Sequence, residues 1–411
     1  MNLTAVFVAA IFVGSVWLGK ITLPLSVLAI PLFFVGRRQL NLYFPPAVFP
    51  LLAIGSIIII QFALNFRDPA FKWKADLTTW LPLVFAGATI IALRYGHLGD
   101  REAARAMLVG GALTSAIMVS MIILAPKGTF LIPGQDAARV EDAYSKQRMR
   151  EAAEGVDQPA GRDAFIPASA ERDTAFYDVK NRARNMLGVS NYIAVFLVFL
   201  FAVALFSSLP WIAVAFAALT TLTLARFGMI ILAIILCVYL LRQKIEPVKA
   251  AASSAVLIGV GLLGVYLIQN HVPHVPGAAS ILARVAYWRS GIEALSLHPP
   301  IGAPRSVFLV ELGNNITWNP HNSILWVAVN FGFVGLVAYC VYVWIVMREI
   351  AKAAAVSDMW KGIFVGIVLI LAWSLEEIIA LTPAFELLLA ALYSLARNRN
   401  GLAPSPHAKS S

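Results

Sequence analysis

Long runs of apolar residues, separated by short polar loops, recur along most of this chain. A helix that crosses the hydrocarbon core of a bilayer needs about 20 apolar residues at a rise of about 1.5 Å each. The 411 residues are 60% hydrophobic and only 13% charged, whereas soluble proteins carry about 25% charged residues. The sequence therefore predicts a protein that crosses a membrane several times.

We predict an all-α fold that forms a single integral membrane domain over residues 1–411, with about 12 transmembrane helices. The predicted spans are all apolar and lie near residues 3–18, 21–35, 47–65, 77–93, 105–125, 187–207, 210–225, 228–241, 251–268, 323–347, 362–380 and 383–396. Two long loops interrupt them, residues 126–186 and residues 269–322, and the second is predicted to be partly helical. Residues 398–411 are predicted to form a disordered tail.

Lysine and arginine are distributed unevenly between the two sets of short loops. About 14 lie on the side of the N-terminus and about 5 on the other side. Because positive charge accumulates on cytoplasmic loops, both termini are predicted to be cytoplasmic and both long loops to lie on the outer side, which is the periplasm if the host is a Gram-negative bacterium. The net charge of +10 is assigned to contacts with membrane lipids and not with nucleic acid, because no long block of like charges occurs.

His321 is the histidine best placed for chemistry, and we predict that it is catalytic. It lies between Pro320 and Asn322, directly before the apolar run of residues 324–347. Imidazole is the side chain best suited to proton transfer near neutral pH. Asn322 is predicted to orient the ring and to contact substrate. A lone histidine at a helix end can otherwise be a capping or interfacial residue.

Arginines in the same long loop suggest a phosphate site, because guanidinium groups are the best fixed partners for phosphate. Arg284 and Arg289 fall in a predicted helix over residues 280–297, and Arg305 follows it. Arg289 can pair with Glu293 four residues later. Arg284 has no acid four residues away on either side, so it is the stronger candidate for holding a ligand.

Other candidates lie at the ends of predicted spans. Arg182 and Arg184 end the first long loop, where they either contact a lipid-linked pyrophosphate or only reach the membrane surface. Arg226 lies in a very short outer turn, where a charge is costly unless it is paired or exposed. Glu376 and Glu377 lie near the outer end of a span; they are functional carboxylates or simply reach the interface.

Several common functional motifs are missing from the sequence. It has no Gly-x-x-x-x-Gly-Lys-Ser/Thr phosphate loop, no Gly-x-Gly-x-x-Gly motif after a strand and no Asp-x-Asp pair in the long loops. We therefore expect no metal and no cofactor, with arginines in place of an ion. The two cysteines lie in apolar spans and suggest neither a disulfide nor a metal site. Charged residues inside the spans are scarce, which argues against a transporter.

The sequence resembles the O-antigen ligase and O-antigen polymerase superfamily of bacterial envelope enzymes. Residues 284–303 read Arg-x-x-x-Trp-x-x-Gly-x-x-Ala-Leu and then His-Pro-Pro-Ile-Gly, and they precede Pro-His-Asn-Ser-Ile-Leu at 320–325 and Asn-Phe-Gly-Phe-Val-Gly-Leu at 330–336. Residues 224–228 resemble the family's Ser-Arg-x-Gly turn. Residues 182–192, with Asn191, resemble its Gly-x-x-Asn-x-Asn segment before a span.

The sequence departs from the family pattern at three places. Gly302-Ala303-Pro304 stands where Gly-x-Gly is usual, Asn330 replaces a frequent acid, and Ala225 replaces the serine before the turn arginine. These departures blur the subfamily, because the ligase and the polymerase share the motifs and differ in their acceptor.

The resemblance implies an enzyme that transfers a glycan from undecaprenyl pyrophosphate to a sugar hydroxyl of lipid A–core at the periplasmic face. Arg226 and Arg284 would stabilise the leaving pyrophosphate, with Arg184 or Arg305 assisting. His321 would orient or deprotonate the acceptor hydroxyl, and direct displacement would invert the anomeric centre. The alternative within the class is a polymerase that joins lipid-linked repeat units, so the acceptor would be a second lipid-linked glycan. A polysaccharide or lipid transporter is the alternative from another class.

Overall fold

A computed structural model describes residues 2–18, 21–35, 44–124, 187, 190–268, 278–311 and 320–402. Within these ranges the chain is mostly helical. The first predicted loop, with Arg182 and Arg184, lies outside the described residues, as do residues 403–411 of the predicted tail.

The α-helices of the described residues follow the predicted spans from residue 48 onward, except that the span predicted over residues 362–380 is wrong at its end, because the helix stops at Trp373 and residues 374–380 lie outside any helix. In chain order they are α1 (Leu3–Val13), α2 (Val48–Asn65), α3 (Trp73–Ala92), α4 (Asp100–Leu124), α5 (Ser190–Phe206), α6 (Pro210–Leu222), α7 (Arg226–Leu240), α8 (Pro247–Ile268), α9 (Ala278–Leu297), α10 (Arg305–Glu311), α11 (Ser323–Ala354), α12 (Asp358–Trp373) and α13 (Pro383–Leu402). The helix predicted over residues 280–297 is confirmed as α9, so the second long loop is partly helical.

Four helices in the described part of the chain are long and apolar enough to cross a membrane: α2, α4, α8 and α11. Five others are apolar but shorter. On α8, the side chains of Val256, Leu257 and Val260 are exposed, as expected for a surface that faces lipid tails. The chain is thus a helical membrane protein.

The N-terminal region differs from the prediction of two membrane helices over residues 3–18 and 21–35. Helix α1 ends before Gly14, whose φ of 112° is outside the helical region. A two-stranded antiparallel hairpin follows, β1 (Ser15–Leu18) and β2 (Ile21–Pro24), and then a 3-10 helix over Leu25–Phe33 that contains Pro31. The 11 residues of α1 extend only about 16 Å, so the two predicted spans are not confirmed.

Helices α5, α12 and α13 form the centre of the bundle. The side chains of α5 are buried from Ile193 to Phe206. Helix α12 approaches α5 through Gly362 and Gly366, because a Cβ on Gly362 would lie 2.7 Å from the carbonyl oxygen of Ala202. Small residues four apart permit this close packing of membrane helices.

The last turns of α13 correct the prediction of a disordered tail from residue 398. The helix continues to Leu402. The Asn398 side-chain amide donates to the carbonyl oxygens of Leu93 (3.1 Å) and Gly96 (2.7 Å). Arg399 forms an ion pair with Asp100 (2.8 Å). These contacts hold residues 398–402 in the helix.

Helix α11 is broken at Gly332, which lies at φ 66° and ψ −171°. This conformation is essentially restricted to glycine. A Cβ at Gly332 would collide with the backbone of Pro300 and Ile301. Gly302 mirrors it at φ 67°, and a Cβ there would lie 2.6 Å from the backbone of residues 330–332. The two backbones therefore interlock at these glycines.

The turn after α9 replaces hydrogen bonds that the break removes from α11. Phe333 N donates to the carbonyl oxygen of Pro299 (2.9 Å), and Val334 N donates to that of Pro300 (3.1 Å). A break in a membrane helix is tolerated only where such partners satisfy the backbone. The turn is in this way fixed to α11.

Gln61 of α2 completes this junction from the other side. Its buried side-chain amide donates to the carbonyl oxygens of Ile301 (2.7 Å) and Asn330 (2.6 Å). Ala303 N donates to Val329 O (3.2 Å). Three segments distant in sequence are thus joined, and their junction sets the positions of α9 and α10 beside α11.

We expect Gly332→Ala to destabilise the folded protein by about 2 kcal/mol or more, because the added Cβ collides with backbone and the φ is strained. The measurement is the melting temperature of the purified protein in detergent. The matched control is Gly261→Ala in α8, where no atom lies within 4 Å of the added Cβ. Equal melting temperatures for the two variants would contradict the interlock.

Candidate functional site

The start of α11 is docked onto the connection between α12 and α13, residues 374–382. Ser323 N donates to Ser374 O (2.7 Å), and Ser323 Oγ donates to the carbonyl oxygen of Glu377 (3.0 Å). The same Oγ accepts from Ile379 N (2.9 Å) and Ala380 N (3.1 Å). One buried hydroxyl therefore organises the connection, and residue 321 is brought against Glu377.

His321 contacts the carboxylate of Glu377. Its Nδ1 lies 3.1 Å from Glu377 Oε1, and only 7% of the Glu377 side chain is exposed. The Asn191 amide, in the first turn of α5, donates to Glu377 Oε2 (3.0 Å). A carboxylate that accepts a hydrogen bond from Nδ1–H fixes the tautomer of a histidine and directs Nε2 to the reacting group.

The backbone of His321 is itself unusual, with φ at 43°. Few non-glycine residues adopt the left-handed region, and such residues concentrate at functional sites. The ring packs 5.2 Å, centre to centre, from that of Tyr287 on α9. Leu381, at the end of the connection, and Leu224, just before the turn of Arg226, also have positive φ.

Arg284, three residues before Tyr287 on α9, forms an ion pair with Glu376 through Nη1 and Oε1. Its side chain is 26% exposed and that of Glu376 is 10% exposed. Glu376 and Glu377 are consecutive, so neighbouring residues hold Arg284, the predicted phosphate-binding residue, and His321, the predicted base. The structure thus brings together Arg284 of α9, Asn191 of α5 and His321, which directly precedes α11.

The two carboxyl groups of the connection have opposite pKa shifts. Burial raises the pKa of Glu376 to about 7, although the positive charge of Arg284 opposes this shift. Burial would also raise the pKa of Glu377, but the hydrogen bond and charge of His321, together with Asn191, hold it below its usual value. Glu377 is therefore ionised at neutral pH, and Glu376 is near its midpoint.

Arg226 begins α7 and is exposed. The neighbouring Phe227 ring lies 5.8 Å from that of Trp373, the last residue of α12. The turn with Arg226 is therefore at the same end of the bundle as the connection.

Arg305 and Arg289 have other surroundings. Arg305 lies over the Trp326 ring, 5.5 Å from its centre, and is attracted electrostatically by Asp76. Asp76 is fully buried and accepts hydrogen bonds from Ser306 N (3.0 Å) and Ser306 Oγ (2.6 Å), so this cluster joins α3 to α10. Arg289 is exposed on α9, and the contacts of the described residues do not place it in the His321 cluster.

Asn322 has a different role from the one expected. Its Oδ1 accepts from Leu325 N (3.0 Å) and caps α11, while its Nδ2 donates to Leu375 O (2.8 Å). Asn322 therefore holds the connection, and Glu377 orients the His321 ring instead.

The sequence did not predict the role of Ser323 or the partners of Glu376 and Glu377. Ser323 carried no signal, since a serine at the start of a helix is ordinary. Two adjacent acids beside an apolar span marked Glu376 and Glu377 as candidate functional residues, but the sequence did not indicate which basic residues they contact.

Among the described residues, no group of three or more His, Cys, Asp or Glu side chains could hold a metal ion.

The stability of the protein should depend on pH through Glu376. Folding raises the pKa of this group from 4.5 to about 7, so the folded state binds the proton more tightly than the unfolded chain. The free energy of unfolding should therefore fall as pH rises from about 4.5 to about 7.

We expect Glu376→Gln to flatten the dependence of melting temperature on pH between about 4.5 and 7. The control Glu246→Gln, at an exposed ion pair with Lys249, should keep the wild-type slope. Identical slopes for wild type and Glu376→Gln would contradict the burial of an ionisable Glu376.

The sequence matches no protein-family model, and a search of curated proteins found no match either.

Proposed function

We propose that this protein is a membrane glycosyltransferase similar to O-antigen ligase. It transfers a glycan from undecaprenyl pyrophosphate to a sugar hydroxyl of lipid A–core, without a metal and with inversion. The observation that carries the proposal is the contact of His321 with Glu377 directly beside the ion pair of Arg284 with Glu376. This reaction needs a base for the acceptor hydroxyl and a positive charge for the leaving pyrophosphate, and His321 and Arg284 would supply them.

The proposed topology is that of a bacterial inner-membrane protein with about 12 spans and both termini in the cytoplasm. The His321 cluster then faces the periplasm, where lipid-linked glycans and lipid A–core are both available. The excess of Lys and Arg on the loops of the opposite side supports this orientation.

His321 acts as the base toward the acceptor. Its Nε2 takes the proton of the acceptor hydroxyl, and the ring becomes an imidazolium. Glu377, ionised and held by Asn191, accepts a hydrogen bond from Nδ1–H, stays ionised and stabilises the imidazolium electrostatically. The left-handed backbone at His321 and the Tyr287 ring fix the direction of the imidazole.

Arg284 receives the pyrophosphate of the donor. A guanidinium has five N–H donors in a planar fork, so an arginine bound to Glu376 through one nitrogen can still donate to phosphate oxygens through others. Arg226, exposed at the same end of the bundle, adds a second positive charge. The other candidates for binding the donor pyrophosphate are Arg182, Arg184, Arg289 and Arg305.

The reaction is a single displacement. The acceptor oxygen forms a bond to the anomeric carbon as its proton passes to His321, and the bond from that carbon to the pyrophosphate oxygen breaks. Undecaprenyl pyrophosphate leaves with the bonding electron pair, and Arg284 and Arg226 stabilise the negative charge that develops on it. Attack from the face opposite the leaving group inverts the anomeric centre.

We expect His321→Ala and Arg284→Ala each to reduce glycan transfer by about 100-fold or more, because general base catalysis and leaving-group stabilisation each contribute that much. Glu377→Gln should also lose most activity while the protein stays in the membrane. The assay is complementation of a deletion strain, with lipopolysaccharide separated on gels and protein amounts checked by immunoblot.

Matched controls are His97→Ala and Arg101→Ala, because both residues are exposed and lie outside the His321 cluster. These variants should restore the wild-type pattern. Full activity of both His321→Ala and Arg284→Ala would overturn the enzyme proposal.

The deletion strain by itself separates the ligase from the polymerase. Loss of a ligase leaves long glycans on the polyprenyl lipid and none on lipid A–core. Loss of a polymerase leaves single repeat units on the core. The first pattern supports the function proposed here, and the second assigns the same catalytic groups to a polymerase.

A further inference from the structure

Only one of the two adjacent carboxylates has a step in the proposed reaction. Glu377 holds His321, and both of its oxygens have partners: Oε1 lies 3.1 Å from His321 Nδ1, and Oε2 accepts from the Asn191 amide at 3.0 Å. Ile378 N also donates to Oε1 (3.2 Å). Glu376 takes no step in that reaction, although its side chain is only 10% exposed.

Glu376 occupies the side chain to which the donor pyrophosphate is assigned. Its Oε1 forms the ion pair with Arg284 Nη1. A pyrophosphate esterified at both ends keeps one negative charge on each phosphate near neutral pH, because it lacks the second ionisation near pH 6 of a phosphate monoester. When such a donor binds the same guanidinium, its charges lie next to the Glu376 carboxylate. A largely buried carboxylate beside another anion is costly unless it is protonated.

We propose that Glu376 belongs to the donor site and takes up one proton when the donor pyrophosphate binds; this role rests on the proposed function, because it requires a pyrophosphate at Arg284. In the empty site the Glu376 carboxylate neutralises Arg284. In the occupied site the neutral carboxylic acid releases the guanidinium and donates its O–H to a phosphate oxygen. The proton comes from the solvent, and the only covalent bond formed is the O–H bond of the acid.

The surroundings of Glu376 favour protonation there and not at Glu377. Among the described residues, the strongest charges acting on Glu376 are Arg284 of α9, Glu377 of the connection and His321 before α11, and α12 adds a hydrogen bond from the Trp373 side chain. Burial raises the pKa of Glu376 to about 7 even with Arg284 beside it, and the charge of Glu377 adds to the rise. A donor that engages Arg284 weakens the main interaction that keeps the acid ionised, so it raises this pKa further.

Donor affinity should therefore fall as pH rises. With a pKa of about 7, Glu376 in the empty protein is mostly neutral at about pH 6 and mostly ionised at about pH 8. A ligand that binds only the neutral form loses affinity in proportion to the fraction that is ionised. The affinity should fall about tenfold between about pH 6 and about pH 8, and proton uptake should rise from about 0.1 to about 0.9 per donor bound.

The test is isothermal titration calorimetry of the full-length protein in detergent. The probe is geranylgeranyl pyrophosphate esterified to N-acetylglucosamine, and titration in two buffers with different heats of ionisation counts the protons taken up. We expect about 0.9 proton for the wild type at about pH 8. Glu376→Gln should take up none and bind the probe about tenfold more tightly than the wild type at this pH, because its amide is always neutral and can donate as the acid does.

The matched control is Glu246→Gln, which removes a carboxylate from an exposed ion pair with Lys249. It should keep the proton uptake and the affinity of the wild type. If Glu376→Gln also keeps both, the proton goes to another group, such as His321, and the role of Glu376 is wrong. The wild type alone decides the case in which Glu376→Gln does not fold, because an absence of proton uptake at about pH 8 would equally overturn this role.

Arg284→Ala separates a failure at Glu376 from a failure of the proposed function. We expect this variant to bind the probe at least about tenfold more weakly than the wild type, because it loses the charged hydrogen bonds to phosphate. If that weakening is seen but Glu376→Gln behaves as the wild type does, only the role of Glu376 is wrong. If the wild type does not bind the probe, or Arg284→Ala binds it equally well, the donor site itself is wrong and both proposals are overturned.

Discussion

The hydroxyl of Ser323 joins the first turn of α11 to the connection between α12 and α13. It accepts from Ile379 N and Ala380 N and donates to Glu377 O, so three backbone groups outside any helix are satisfied by one side chain. Buried backbone groups cost free energy unless they are paired. This arrangement lets an irregular segment approach the bundle and present Glu376 and Glu377 to α9 and α11.

The second constraint is the interlock of Gly302 with Gly332. It fixes the turn after α9 to the break in α11, and Gln61 closes the junction from α2. The position of Arg284 relative to His321 therefore depends on two junctions, one at each end of the first half of α11. Neither junction relies on apolar packing alone, which is a weak source of specificity between helices in lipid.

Charge pairing explains why such a polar cluster is stable inside a membrane protein. Buried carboxylates are costly unless they are paired. Glu376 contacts Arg284 on α9, and Glu377 contacts His321, which directly precedes α11. The opposite pKa shifts of the two acids give the cluster one firmly ionised carboxylate and one that titrates near neutral pH. In the proposed reaction, the donor pyrophosphate would compete with Glu376, the weaker of these two anions, for Arg284.

The sequence alone determined the long apolar helices from residue 48 onward, apart from the early end of α12 at Trp373, because each membrane helix satisfies its own backbone and is encoded by a local apolar run. It also identified His321, Arg284 and both acids as candidates. It did not determine which acid meets which base, since His321 and Glu377 are 56 residues apart and their contact depends on how the helices pack. The hairpin after α1, the break in α11 and the role of Asn322 were likewise decided by tertiary contacts, because their hydrogen-bond partners lie far away in the chain.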